Sequence, residues 1–387
     1  MPPRRSGRFR SLALLVGTGA LLLGGCSHNA PNDSLKPRGY YAHQIWNLIW
    51  PVFVVAGVIL AIVAGGILYF AARYRVSDEQ EWLDDSDMPA QVHGNFRLEL
   101  GWTILPAVIL AVVSVFTVLT VLNLAKEPSK KALHVEVVGQ QWWWEYRYDL
   151  NHDGKYDEIV TADELVIPAG EKVALHLVSR DVIHGWWVAR LNGKRDVVPG
   201  QPTNFAVEAD HPGEYHGECT VFCGLSHANM RFKVIALPRS QYNAWIRNQL
   251  KPAPIPTTEK AKAGLQVFNS TCSSCHTINA PGVTLPTKES LDKQLISGEA
   301  PHLTHLMSRT TFASGDFNLR KDTPECRAQG ILYAIPKCVN EADLRAWIQD
   351  APSVLPMDPA NRQGMPAFTT LSPGDLDNLV AYLETLK

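Results

Sequence analysis

Two long stretches without a charged side chain constrain this chain more than any other feature. Residues 45–72 form 28 consecutive uncharged positions, and residues 101–125 form another 25. About 20 apolar residues suffice for a helix to cross a bilayer. Backbone groups in lipid must be satisfied internally, and two segments cannot close a barrel. The sequence therefore predicts two transmembrane helices, at 45–72 and 101–125.

The N-terminus has the shape of a signal peptide. Four arginines within the first ten residues precede an apolar stretch at 12–23, which is too short to span a membrane. The stretch ends in Leu-Gly-Gly-Cys26, which resembles a bacterial lipobox, so residues 1–25 are predicted to be removed and Cys26 to carry lipid. The alternative is an ordinary secretory signal with Cys26 incidental. Export of the N-terminus places the loop after Arg73 and Arg75 in the cytoplasm.

Charge and cysteine usage narrow the function. The chain has 36 basic and 38 acidic side chains among 387 residues, a net charge of -2, which argues against a general nucleic-acid binder. Seven cysteines are too few for a disulfide scaffold, and their grouping at 26, 219/223, 272/275 and 326/338 indicates separate roles.

Beyond residue 131 the pattern changes twice. Alternation at 173–178, broken by turn signals such as Pro199-Gly200, predicts an antiparallel β-sandwich, with 151–154 at a hairpin tip. Alternating prolines at 251–256 predict a semi-rigid extended linker. Helix-start signals at Asn340 and Ser372 then predict a helical third domain.

The densest chemical cluster is a short loop that holds two thiols, an imidazole and a thioether. These are Cys219, Cys223, His227 and Met230, and His184 fits by context as a further, upstream ligand. Soft thiolate and thioether donors with imidazole suit copper, or zinc. A zinc knot or a Cys219–Cys223 disulfide would leave the thioether unexplained.

A second redox motif is Cys272-Ser-Ser-Cys275-His276, in which both thiols can bind haem vinyls covalently and His276 lies below the iron. A thioredoxin-like or zinc motif would not explain the adjacent histidine. The second axial ligand is predicted to be Met365, with Met357 as the alternative; less favoured are Met307, His302 and His305.

Cys326 and Cys338 remain unassigned to a metal or haem. An unassigned pair in an oxidising compartment usually forms a disulfide, so these two cysteines are predicted to be joined.

The copper loop with its upstream histidine resembles the dinuclear copper (CuA) loop of cytochrome c oxidase subunit II. The aromatic segment 139–146 and the helix start 99–106 also resemble that family, so the likeness covers about residues 40 to 250. It implies that Cys219 and Cys223 bridge two coppers, that His184 and His227 each bind one, and that Met230 is a weak ligand.

The resemblance implies three further site residues. The backbone carbonyl of Val221 would complete the copper site, but most relatives have an acidic residue there, which also reaches a magnesium or manganese ion; the valine puts that second ion in doubt. Trp142 would be an exposed ring through which electrons reach copper, the alternative being sandwich core. Glu99 would lie at the mouth of a proton path, the alternative being a solvated helix-end carboxylate.

With the haem motif included, the resemblance is to subunit II of caa3-type oxidases. The expected fold class is a multidomain membrane protein with a two-helix transmembrane hairpin, an all-β cupredoxin sandwich and an all-α class I cytochrome c domain. The expected divisions are a signal peptide at 1–25, the hairpin at 26–128, the CuA domain at 129–250, a linker at 251–258 and the cytochrome domain at 259–387.

The implied cofactors are one dinuclear copper centre and one covalent haem c. Electrons would pass from an external cytochrome c or other respiratory carrier to haem c, then to CuA, then to haem a of subunit I, where oxygen reduction drives proton translocation. The implied partners are subunits I and III, the donor and membrane lipid, with no nucleic acid. The implied location is the bacterial inner membrane, with both redox domains on the extracytoplasmic side.

Three other functions are alternatives to this one. A quinol-oxidase subunit II shares the hairpin and sandwich but lacks the copper ligands and haem. A nitric-oxide reductase with a CuA subunit is the minor alternative. A copper-delivery or sensing protein would not require haem.

Overall fold

The computed structural model describes residues 30–74, 94–280, 300–327, 336–358 and 363–387. The predicted signal peptide, the lipidated Cys26 and Arg75 lie outside these ranges.

Two long apolar helices come first among the described residues. Helix α1 is Tyr40–Arg73 and helix α2 is Phe96–Leu124. Each is long and apolar enough to cross a membrane, and the most apolar window of each has no buried residue within the molecule. The predicted pair of membrane helices is confirmed, although each begins five residues before its charge-free run, at 40 rather than 45 and at 96 rather than 101.

The first turns of α1 are anchored to the next domain. The backbone N–H of Arg38 donates to the carbonyl of Arg190 at 2.7 Å, and that of Ala42 donates to the carbonyl of Leu191 at 3.1 Å. Tyr41 is 1% exposed. Residues 40–49 therefore run along the sandwich before the helix continues with its side chains exposed.

Ten strands form a sandwich of two five-stranded sheets. In chain order they are β1 (Leu133–Gln140), β2 (Trp143–Asp149), β3 (Ile159–Ala162), β4 (Glu164–Pro168), β5 (Val173–Ser179), β6 (His184–Trp187), β7 (Arg195–Val197), β8 (Thr203–Val207), β9 (Gly213–Cys219) and β10 (Arg231–Leu237). The sheet orders are β3-β2-β1-β5-β8 and β4-β10-β9-β6-β7. The core between them is aromatic: Trp186 stacks on Phe232 at 5.1 Å, and Trp144 meets the same ring edge-on at 5.5 Å.

The sandwich is not antiparallel throughout. The hairpin between β2 and β3 is where the sequence predicts it, but β1 pairs with β5 in parallel and β4 pairs with β10 in parallel. The chain leaves the first sheet after β3 to form β4 and then returns as β5. A strand that returns after such a crossover can align parallel to an earlier one, so the purely antiparallel prediction is wrong at these two pairs.

Helix α3 (Arg239–Gln249) follows β10 and packs on the sandwich core through Tyr242 and Trp245. Beyond it, the described part of the C-terminal region is helical in part, as predicted, but also contains a short two-stranded sheet. Its elements are α4 (Glu259–Val267), β11 (Thr311–Phe312), β12 (Phe317–Asn318), α5 (Pro324–Arg327), α6 (Glu341–Val354) and α7 (Pro373–Leu383). Ser372 Oγ accepts the N–H of Asp375 at 3.1 Å, which caps α7 at the predicted start. A disulfide joins Cys326 and Cys338.

A buried carboxylate fastens this region to the sandwich. Glu164 Oε1, in β4, accepts four hydrogen bonds of 2.7–2.9 Å from the backbone N–H and hydroxyl groups of Thr310 and Thr311. Arg231 also pairs with Asp316 at 2.8 Å. A buried carboxylate is stable only where it accepts hydrogen bonds, as Glu164 does here. Together with the Arg231–Asp316 pair, these hydrogen bonds hold the C-terminal region against the sandwich.

Helices α4 and α7 cross where a glycine permits close approach. A Cβ on Gly264 would lie 1.9 Å from the carbonyl oxygen of Asn378, which is backbone and cannot move aside. We expect Gly264→Ala to lower the free energy of unfolding by about 1–3 kcal/mol, as overpacking does. Gly374→Ala is the matched control, because the nearest atom there, Ser372 Oγ, is 3.8 Å away. Thermal unfolding of both full-length variants would test this, and equal melting temperatures would contradict the close crossing.

Candidate metal centre and haem motif

The β9–β10 hairpin builds the loop that carries the predicted copper ligands. Cys219 ends β9, and Met230 directly precedes β10. The backbone N–H of Cys219 donates to the carbonyl of Met230 at 3.0 Å, which closes the loop at its base. The ligands between these two positions are thereby folded back over the end of the hairpin.

The neighbouring strand supplies the upstream histidine. In the register of β6 and β9, Trp186 lies opposite Cys219, and His184 is two residues earlier in β6. The His184 side chain is 0% exposed, and its Nδ1 lies 3.9 Å from Cys219 Sγ. A residue 35 positions away in sequence thus reaches the loop.

The other predicted ligands converge on Cys223. Cys223 Sγ lies 3.8 Å from Cys219 Sγ, 3.6 Å from His227 Nδ1 and 3.7 Å from Met230 Sδ. The Val221 carbonyl oxygen is 3.3 Å from Cys219 Sγ. The structure therefore brings all six predicted donors together.

This donor set fits a copper pair. The two sulfurs are too far apart for a disulfide, whose S–S length is about 2.05 Å. A thioether and a carbonyl accompany the thiols and imidazoles, and thioether is a donor for soft metals such as copper. The zinc-knot alternative still leaves the placement of Met230 unexplained.

The two thiols form a hydrogen bond with each other at 3.8 Å. This hydrogen bond lowers the pKa of Cys219 to about 4, with burial acting in the opposite direction. The same hydrogen bond, followed by burial, raises the pKa of Cys223. Metal binding by both sulfurs would release any thiol proton, because thiolates are the ligating form.

Asp181, which the sequence analysis did not identify, orients His184. Its Oδ1 accepts a hydrogen bond from His184 Nε2 at 2.8 Å and from the N–H of Val182 at 2.6 Å. Burial acts to raise the pKa of Asp181, but the hydrogen bonds from His184, Gln141 and Val182 outweigh it and lower the pKa. The proton on Nε2 leaves Nδ1 as the metal-binding atom. The available signal was an aspartate three residues before a predicted ligand.

The carbonyl of Cys223 is fixed by two donors from the β1–β2 turn. Gln141 Nε2 donates to it at 2.7 Å and Trp142 Nε1 at 3.2 Å. Both residues precede β2, so the indole is attached to the copper loop through a hydrogen bond.

The expectation that Trp142 presents an exposed ring is wrong. Its side chain is 2% exposed, and the neighbouring Trp143 and Trp144 are also buried. Trp142 lies in a turn, so the face alternation expected for a strand does not apply to it. Gly224 lies against the indole, and Met357 of the C-terminal region packs on the core cluster to which Trp142 belongs.

The haem motif follows directly on helix α4. Cys272 and Cys275 are not joined to each other, and Cys275 is exposed. His276 Nδ1 bonds to the carbonyl of Pro301 at 2.8 Å, which leaves Nε2 as the iron-binding atom. Burial lowers the pKa of His276, partly offset by that hydrogen bond, and so favours the neutral, metal-binding form. These features fit a covalent haem c.

Packing separates the two leading axial candidates. Met365 packs against the C-terminal core cluster together with Cys272, whereas Met357 packs against the sandwich core. This placement favours Met365. Of the other candidates, Met307 is fully buried in the helical core, and both ring nitrogens of His305 are engaged by carbonyls of Lys387 and Lys251.

The less favoured His302 is buried, with Nε2 3.2 Å from Thr304 Oγ1.

Glu99 lies in the first turn of α2. Its Oε1 accepts the N–H of Asn95 at 3.2 Å, while Asn95 Oδ1 accepts the N–H groups of Arg97 and Leu98. The carboxylate thus closes a helix end, and its predicted part in proton uptake remains a prediction.

Comparison with known proteins gives two family-model matches. Residues 39–119 match the model described as cytochrome c oxidase subunit II, transmembrane domain, and residues 133–237 match cytochrome c oxidase subunit II, periplasmic domain.

Curated relatives cover the whole chain. Cytochrome c oxidase subunit 2 of Alkalihalophilus pseudofirmus is 32% identical over 99% of this chain and 98% of its own length. The protein of the same name from Bacillus sp. strain PS3 is 31% identical over 96% of each chain. Quinol oxidase subunit 2 of Bacillus cereus is 30% identical but covers 65% of this chain and 84% of its own.

We expect Asp181→Ala to weaken copper binding by about 10–100-fold, because outer hydrogen-bond partners of a metal ligand have effects of that size. Asp196→Ala is the matched control, since Asp196 is an exposed residue of the neighbouring strand β7. Competition titration of the purified chain against a copper chelator would measure both affinities. Equal affinities in the two variants would show that Asp181 does not position His184.

Proposed function

The chain belongs to the cytochrome c oxidase subunit II family, and from this membership we propose that it is the subunit through which electrons enter a caa3-type oxidase. The convergence of two cysteines, two histidines, a methionine and a carbonyl on the β9–β10 loop is the observation that carries the proposal. The haem motif of the C-terminal region, Cys272 to His276, supports the caa3 type within this family.

The residues of the copper loop have distinct roles in this proposal. A bound copper pair would supply one-electron chemistry with little change in bond lengths, because two bridging thiolates spread the electron over both metals. Cys219 and Cys223 would hold it through their thiolates. His184, held by Asp181, and His227 would bind it through imidazole nitrogens, while the hairpin keeps the ligands from rearranging.

The C-terminal region would hold the carrier that meets the external donor. Haem c would supply a second one-electron carrier, whose potential a methionine ligand raises. Cys272 and Cys275 would attach it, while His276 and Met365 would bind the iron.

Partner contacts follow from exposed apolar residues on the copper loop. Phe222 is 79% exposed and Leu225 is 63% exposed, and both flank Cys223. Such residues beside a redox site suit burial against another protein, here subunit I, which would receive the electrons. The chain is a membrane component of an oxidoreductase complex with an extracytoplasmic copper domain.

Two alternative functions can be distinguished from the proposed one. The similarity to quinol oxidase subunit 2 of Bacillus cereus covers 65% of this chain, against 99% for the cytochrome c oxidase subunit of Alkalihalophilus pseudofirmus, and a quinol oxidase subunit would not need the Cys/His group assembled here. A nitric-oxide reductase would use the same loop, so purification by a C-terminal tag, with identification of the co-purifying subunits and of oxygen or nitric oxide turnover, separates it from an oxygen-reducing enzyme.

In the assembled oxidase, we expect Cys219→Ser to leave the C-terminal haem rapidly reducible by donor while haem a stays oxidised. The substitution removes one bridge of the copper site and leaves the haem motif intact. Stopped-flow spectra at the c-haem and a-haem bands would measure both. Rapid haem a reduction in this variant would overturn the proposed order of carriers.

Met365→Ala should give the opposite pattern. Loss of the thioether lowers the haem potential and slows electron uptake from the donor, while the copper absorption is retained. Met357→Ala is the control, because Met357 packs on the sandwich core. An unchanged potential in Met365→Ala with a lowered one in Met357→Ala would reverse the ligand assignment.

For the proton path we expect Glu99→Gln to lower turnover at all pH values, because the amide keeps an acceptor for the N–H of Asn95 but cannot carry a proton. Glu99→Ala removes both functions. Steady-state turnover against pH would measure the effect. Wild-type turnover in Glu99→Gln would leave Glu99 with the helix-capping role alone.

A further inference from the structure

The C-terminal domain touches the copper loop beside its own candidate axial methionine. Gln363 lies two residues before Met365, and its Nε2 donates to Gln141 Oε1 at 3.0 Å. The other end of the Gln141 amide, Nε2, donates to the carbonyl of Cys223 at 2.7 Å. A path of covalent bonds and two hydrogen bonds therefore joins the candidate haem ligand to a candidate copper ligand.

Chemistry fixes the direction of both amides. The Cys223 carbonyl can only accept, so Gln141 must turn its NH2 group toward it. The Gln141 oxygen then faces Gln363, which must present its own NH2 group. Reversing either amide would place two acceptors or two donors against each other, so each side chain has one satisfactory orientation.

The surroundings keep this junction closed. The backbone N–H of Gln141 donates to Asp181 Oδ2 at 2.6 Å, which holds the turn in place. Ser226 Oγ, in the copper loop, donates to the carbonyl of Pro356 in the C-terminal domain. Gln141 and Gln363 are themselves half-buried, Met357 packs on the sandwich core, and Trp142 beside Gln141 is buried.

We propose that Gln141 and Gln363 are positioning residues that couple the two redox domains. This inference rests on the proposed function. With both groups bound, an external donor would dock on the C-terminal domain and reduce the haem iron, which would then pass one electron to the copper pair; neither glutamine gains or loses a proton.

The decisive variant is Gln363→Leu, which keeps the bulk of the side chain but breaks the contact with Gln141. In the full chain within the assembled oxidase, we expect electron transfer from haem c to copper to slow by about tenfold, since small misplacements have effects of this order or larger. The copper and haem spectra and both potentials should remain those of the wild type. Asp316→Asn is the control, because it weakens a domain contact outside the path, the ion pair with Arg231, and it should transfer at the wild-type rate.

A second measurement does not depend on transfer. In the copper-free, haem-loaded full chain, amide hydrogen exchange at residues 139–146 should stay slow in wild type and in both variants, because Glu164 still fastens the domains. Addition of a soluble c-type cytochrome should protect the C-terminal domain and leave the exchange at 139–146 unchanged.

The outcomes distinguish a failure of the coupling role from a failure of the proposed function. Wild-type transfer in Gln363→Leu, equal slowing in Asp316→Asn, or protection of 139–146 by the added cytochrome would each overturn the coupling role while leaving the copper and haem bands in place. Absence of those bands from the purified wild-type chain would overturn the proposed function, and the coupling with it.

Discussion

The hydrogen bond from the Cys219 N–H to the Met230 carbonyl is the constraint on which the metal chemistry depends. It closes a loop in which ligands recur every three or four residues, so that a short segment folds into one cluster. The flanking strands are paired along their length, which fixes both ends of the loop before any metal arrives. A site built on paired strands holds its geometry better than one built on a free loop.

The Cys223 carbonyl links this loop to the rest of the molecule. It accepts from Gln141 and Trp142, and Gln141 in turn contacts Gln363 of the C-terminal domain. Glu164, which lies opposite Lys233 of β10, accepts hydrogen bonds from Thr310 and Thr311 of that same domain. Two separated attachment points restrain rotation as well as separation, so the proline-rich linker is not what determines the relation between the domains.

Features formed by residues close together in the sequence could be predicted, whereas features that arise from packing between distant segments could not. The spacing of Cys219, Cys223, His227 and Met230 lies within twelve residues, so the cluster was visible without a fold. The start of helix α7 at Ser372 could be predicted for the same reason.

Asp181 was missed because its role appears only when β6 turns its histidine toward β9. Trp142 was placed at the surface by the family resemblance, which covers about residues 40 to 250 and so contains no information about the C-terminal region that packs beside it. The two parallel pairings, likewise, follow from a crossover between sheets and not from any local pattern.

The length of helix α1 also determines where the copper loop lies relative to the membrane. Its 34 residues extend about 51 Å at 1.5 Å per residue, well beyond a hydrocarbon core of about 30 Å. The surplus runs beside the sandwich and is pinned there at Arg38 and Ala42. The count of residues in that segment therefore sets both the height of the copper loop above the lipid and the direction in which it faces. One inserted residue would lift it by about 1.5 Å and turn it by about 100°. If a change in bilayer thickness tilts the helix, the redox domains attached to it tilt with it as a rigid body.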